Sequence, residues 1–127
     1  MKIHESQENY LETILILTKR TGQVRSIDIA AELVFSKPSV SIALKNLRQN
    51  GYAQVDEDGY ITLTEKGRDI AERVYERHTV ISDMLIALGV DKKTAVEDAC
   101  RIEHVISQES FDKLLEHAKK MNKQLAP

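Results

Sequence analysis

Cys100, Glu103 and His104 put a thiol, a carboxylate and an imidazole within one short stretch of chain. On a helix, positions i, i+3 and i+4 project from one face, so the three side chains would converge there. Sulfur, oxygen and nitrogen donors of this kind bind a divalent transition metal. One helix seldom completes a coordination sphere, so other segments must contribute. His78 is the natural candidate, because it and Cys100 stand equally far along the chain from Gly89, where a helical hairpin would turn. Glu12 and Asn9, one turn apart on an earlier helix, can close the site from a third direction. The same residue types also have plainer uses: a lone helical cysteine is often a small core hydrophobe, and a lone histidine a partly buried side chain.

The elements that must hold these residues are legible in the apolar spacing. Tyr10, Leu11, Ile14, Leu15 and Leu17 predict a helix over 5–20, stopped at Thr21-Gly22 with Lys19 and Arg20 in its last turn. Ser26 is expected to cap a second, short helix containing Ile27, Ile29, Ala30 and Leu33. After a break at Val34-Phe35, Ser36 caps a third helix, with Pro38 in its first turn and Asn50-Gly51 at its end. Two extended segments, 52–55 and 60–63, flank Asp56-Glu57-Asp58-Gly59, a hairpin signal. Thr64 then caps a long helix to about residue 88, Asp91 a fifth to about residue 106, and Ser107 opens a sixth carrying Phe111, Leu114, Leu115, Ala118 and Met121. The class is mainly α: a winged helix-turn-helix over 1–64, then a helical domain over 65–127.

In such a fold the third helix reads DNA. Its first turn, Ser36-Lys37-Pro38-Ser39, followed by Ser41, offers small groups and backbone N–H donors at a helix N-terminus. Ser36 and Pro38 are expected at bases, Pro38 against a thymine methyl; Arg25, Lys37, Ser39, Ser41 and Arg48 are expected at or near phosphates. The chain as a whole carries a net charge of −2, which excludes a uniformly basic nucleic-acid binder. Between residues 19 and 50, however, six basic residues face only Asp28 and Glu32, a local patch suited to phosphate. The acidic hairpin tip would be repelled by phosphate and should not insert deeply.

Other classes fit less well. No apolar run approaches the roughly 20 residues needed to cross a bilayer, and the polar N-terminus shows no secretory signal. A single cysteine in 127 residues fits a reduced cytoplasmic protein. No nucleophile–base pair or phosphate loop suggests an enzyme. A rival within reach is a metal-independent winged-helix regulator that senses redox state through Cys100, or a small molecule.

The stretch Asp98-Ala99-Cys100-Arg101-Ile102-Glu103-His104-Val105 resembles the signature of the iron- and manganese-dependent repressors of the diphtheria toxin repressor and manganese transport regulator type. The resemblance also takes in Tyr10-Leu11-Glu12, Ser36-Lys37-Pro38-Ser39-Val40-Ser41, Leu63-Thr64-Glu65-Lys66-Gly67 and Arg77-His78, and so covers nearly the whole chain. It implies a metal-dependent repressor of metal-uptake genes, acting as a homodimer on a palindromic double-stranded operator. It implies Cys100, Glu103, His104, His78 and Glu12 as metal ligands, with Asn9 a weaker carbonyl donor where the manganese branch carries Asp. An ancillary site of the iron branch falls on Ser82 and Val96 and is expected to be dismantled. The SH3-like domain of longer members is expected to be absent. Cys100 is the iron-branch residue and Glu12 a hard ligand of the manganese branch, so iron(II) is expected as effector, with manganese(II) next.

Overall fold

The computed structural model describes residues 5–125, with side chains through residue 121. The chain forms two compact units, divided between Arg73 and Val74. The first contains α1 (Glu5–Thr21), α2 (Ser26–Leu33), α3 (Lys37–Gln49), β1 (Ala53–Val55), β2 (Ile61–Leu63) and the start of α4 (Glu65–Ala87). α1 buries Tyr10, Leu11, Ile14, Leu15 and Leu17 and packs on α2, α3 and β2. Val24, Ile29, Val40, Leu44, Leu47, Tyr52, Ala53 and Ile61 complete this core. Each fully buried Leu or Ile contributes about 1.5–3 kcal/mol, so local propensity has little to decide here.

Local chemistry sets the joints. Ser26 is not the cap of α2 but its first residue; the cap is Arg25, whose backbone N–H donates to the Asp28 carboxylate at 2.9 Å. The acidic group one turn in accepts the outer N–H and complements the helix dipole, which a Ser26 hydroxyl inside the helix is not placed to do. α2 ends on Val34 in the left-handed region, φ 56°, an unusual place for a β-branched residue. The next residue, Phe35, lays its ring 6.1 Å from that of Tyr10 on α1. Ser36 caps α3 as expected, accepting from the Ser39 N–H at 3.3 Å, with Pro38 in the first turn. The hairpin pairs Ala53 with Leu63 and Val55 with Ile61. Asp56 closes its turn by accepting the N–H groups of Asp58 and Tyr60, each at 2.9 Å. The Ile61 N–H donates to Val24 O at 2.7 Å, tying the wing to the loop after α1.

α4 starts against the end of α3. The Thr64 hydroxyl donates to Gly51 O at 2.6 Å and accepts from the Gly67 N–H at 3.1 Å. A Cβ on Gly67 would collide with the Tyr52 carbonyl, so the Thr64-Glu65-Lys66-Gly67 sequence is a docking joint as well as a helix cap.

The second unit holds α4 from Val74, α5 (Lys92–Val105) and α6 (Gln108–Leu125). Gly89, φ 104°, turns α4 towards α5, which Asp91 caps by accepting the Lys93 N–H at 3.2 Å. Ile81, Ala99 and Phe111 form the core, with Val80, Leu85, Ile102, Ile106 and Leu115 around it. Arg77 fixes the end of α5: its guanidinium donates to Glu103 O at 3.1 Å, Ile106 O at 3.0 Å and the Gln108 side-chain oxygen at 2.9 Å. Carbonyls in the last turn of a helix have no intrahelical donor, and a fork of N–H groups supplies one. The described helices include none long and apolar enough to cross a membrane.

Candidate metal centre and nucleic-acid interface

The buried stripe of α5 is Ala95, Ala99, Glu103, one residue per turn. A carboxylate in such a stripe is costly to desolvate, by several kcal/mol even after relaxation. The Glu103 side chain has 0% exposure, and neither of its oxygens accepts a hydrogen bond of good geometry. One oxygen faces His78 Nδ1 of α4 at 3.0 Å; the other faces His104 Nε2 at 3.4 Å. A neutral imidazole does not cancel the carboxylate charge. A divalent cation would, and the His78 nitrogen and Glu103 oxygen that face each other at 3.0 Å are donors of the kind it takes.

The hairpin sets Glu103 across from His78. Equal distance from Gly89 fixes depth along the helices but not rotation about them. Cys100 lies one residue, about 100°, round from Ala99. It is exposed and forms no disulfide. The ligand atoms of Cys100 and His104 do not gather with those of both His78 and Glu103 within 4.8 Å, although the His104 side chain is only 3% exposed. Glu12 and Asn9 lie on α1 in the first unit, Glu12 buried and Asn9 half-buried. Ser82 is buried and spends its hydroxyl on Thr79 O at 3.2 Å; Val96 is exposed. Arg77, given no separate role in the sequence, holds the backbone carbonyl of Glu103 itself. The available signal was a cation next to His78, one helix away from the C-terminal turn of α5.

In the first unit, Arg25, Ser36, Lys37, Pro38, Ser39, Ser41 and Arg48 are all exposed. The Ser36 hydroxyl donates to Ser39 Oγ at 2.8 Å besides capping the helix. The basic patch is narrower than the sequence count, because Arg20 pairs with Glu32 at 3.1 Å. Arg25 stacks its guanidinium 4.4 Å over the Tyr60 ring of the wing, a contact worth about 0.5–1 kcal/mol at an exposed site. Lys45 and Arg48 line a groove with Gln49, Tyr60 and Thr62. Ile42, 63% exposed on α3, was given no role in the sequence; the signal was an apolar residue off the helical spacing of Val40, Leu44 and Leu47.

Residues 2–61 match the family model described as iron dependent repressor, N-terminal DNA binding domain, and residues 64–124 match iron dependent repressor, metal binding and dimerisation domain. The transcriptional regulator MntR of Salmonella typhimurium is 36% identical over 108 residues, covering 85% of this chain and 69% of that protein. An uncharacterised helix-turn-helix regulator of Methanocaldococcus jannaschii is 38% identical over 112 residues, covering 87% and 90%. Among solved structures, the manganese regulator SloR superposes with a TM-score of 0.74 at 30% identity, over 87% of this chain and 53% of that one. IdeR of T. acidophilum gives 0.76 at 26% identity, over 92% and 55%. With both halves matched in order and relatives aligned across the join, the chain belongs to the iron-dependent repressor family, metal-responsive DNA-binding repressors of metal homeostasis, and carries that family's DNA-binding and dimerisation domains.

Proposed function

We propose that this chain is a cytoplasmic regulator of metal-uptake genes, a homodimer on a palindromic operator that answers to iron(II) first and manganese(II) second. The observation that carries the metal reading is the Glu103 carboxylate, buried and set between two imidazole nitrogens. His78, Glu103 and His104 hold the cation, Glu12 brings a second carboxylate from α1, and Cys100 and Asn9 complete the set. When bound, the cation supplies positive charge that offsets two desolvated carboxylates. Ligands drawn from α1, α4 and α5 favour the DNA-competent arrangement only to the extent that they meet better in it.

Homodimer formation is supported by apolar surface in the second unit: Leu88 is 79% exposed, and with Val80, Met84 and Met121 it lines one groove. DNA contact is assigned to the exposed start of α3, with Ser36 and Pro38 at bases and Arg25, Lys37, Ser39, Ser41 and Arg48 along the phosphates. Two dimer-related copies of α3 then read two half-sites. Iron(II) is placed ahead of manganese(II) because a thiolate favours it; manganese(II) stands second because the carboxylates are hard ligands and SloR, a structural relative, is a manganese regulator.

The deciding experiment measures operator affinity against free iron(II) and free manganese(II), oxygen excluded, for the wild type, Cys100→Glu and Cys100→Ala. Cys100→Glu should raise the manganese response relative to iron, and Cys100→Ala should weaken both. A wild type that answers to manganese at the lower free concentration, unaltered by Cys100→Glu, would make Cys100 a bystander and manganese the effector.

A further inference from the structure

α3 buries Val40, Leu44 and Leu47 on one face. Ile42 stands on the opposite face with 63% of its surface exposed, the only large apolar side chain so placed on this helix. It serves neither the core nor the helix: a β-branched residue is a poorer helix former than Lys, Gln or Ala, and its exposed hydrocarbon gains nothing from water. Pro38, also exposed, lies four residues earlier and so one turn away on the same stripe. Around that stripe the surface is basic, with Lys37, Lys45 and Arg48 exposed, which matches a polyanion and not an apolar protein partner.

The polar groups beside Ile42 are poor readers of base edges. Ser36 and Ser39 are hydrogen-bonded to each other, and the helix has no Arg, Asn or Gln before Asn46. Apart from Lys37 at the first position, the side chains that discriminate bases by paired hydrogen bonds are thus missing from the first two turns. An apolar surface can still recognise one feature of the major groove, the C5-methyl group of thymine.

We propose that Ile42, one turn on from Pro38, is itself a specificity-determining residue that selects thymine over cytosine by packing on the C5-methyl group. The proposal rests on the assignment of α3 to the bases. It assigns sequence preference to buried methyl groups in the part of the operator facing the first two turns, and leaves affinity for any duplex to the surrounding cations.

The test begins with duplexes selected from a randomised library by the 127-residue chain loaded with manganese(II). Each thymine of the selected site is then replaced in turn by deoxyuridine, which removes only the methyl group. At one or two positions per half-site the wild type should lose about fourfold in affinity per methyl, and 5-methylcytosine should bind better than cytosine there. Ile42→Ala should be indifferent to the exchange at one of those positions and bind random duplex like the wild type. Ile42→Gln should select adenine in its place, since Gln pairs with the adenine edge. Equal affinity of the wild type for thymine and deoxyuridine sites overturns the proposal, as does a deoxyuridine penalty retained in full by Ile42→Ala. Ser39→Asp separates this from failure of the α3 assignment: a carboxylate at that exposed position should abolish binding to selected and random duplexes alike. If it does not, α3 is not at the bases and both readings fall.

Discussion

The two units differ in how far their own residues complete them. The first closes on itself: α1 is covered by α2, α3 and β2, the wing is tied to Val24, and Gly67 and Thr64 seat α4 against Tyr52 and Gly51. The second is built on a small core of Ile81, Ala99 and Phe111, buries the charged Glu103, and leaves Leu88 and Met121 exposed. The first unit also buries a carboxylate, Glu12, and exposes Val34 and Ile42, but around a much larger core of its own, whereas the second has little core beyond the surface proposed above for a cation and a second copy.

Glu103→Gln tests the contrast with the largest expected effect. The amide keeps the shape but not the charge, so metal-dependent operator affinity should fall about 100-fold, while the metal-free protein melts no lower than the wild type because a buried charge has been removed. Operator titrations at fixed free metal, with thermal unfolding of the metal-free protein, report both. A variant that keeps the full metal response would make Glu103 a structural residue only.

Gly67→Ala probes the closed unit where its backbones touch. Forcing a methyl group against the Tyr52 carbonyl should cost about 2 kcal/mol or more, read by denaturant unfolding, with DNA binding reduced whether or not metal is present. An unchanged midpoint would show that the joint has slack.

Val34→Asn has the opposite sign. An Asn tolerates the left-handed conformation that a β-branched residue resists, so stability should rise by about 1 kcal/mol. Were stability to fall, the Val34 side chain would have to be earning its place in contacts that its 88% exposure argues against.

Arg48→Ala is the smallest change. Affinity for specific and random duplexes should drop together, and the slope of log affinity against log salt should lessen by about one unit. An unaltered slope would remove Arg48 from the phosphate contacts and shift the basic face towards Arg25 and Lys45.

The caps show how much of the fold was local. Ser36, Thr64, Asp91 and Ser107 all accept hydrogen bonds at the helix starts their positions predict, and Asp56-Glu57-Asp58-Gly59 makes the hairpin turn. Ser26 failed because Asp28 competes for the same task from inside the helix, and near-equal caps are separated by geometry.

The sequence by itself determined the order of six helices and a hairpin, the location of the basic segment and the residue types of the candidate metal site, because periodicity, capping and charge are properties of neighbours along the chain. Only the tertiary structure decided that a Glu103 oxygen faces His78 Nδ1 at 3.0 Å, that Arg77 reaches three oxygens around the α5–α6 corner, and that Ile42 points away from the core. Those outcomes depend on the rotation of one packed helix against another. A shift of one residue turns a side chain by about 100°, and the energy that fixes this rotation comes from burying whole faces, not from any residue's preference for its neighbours.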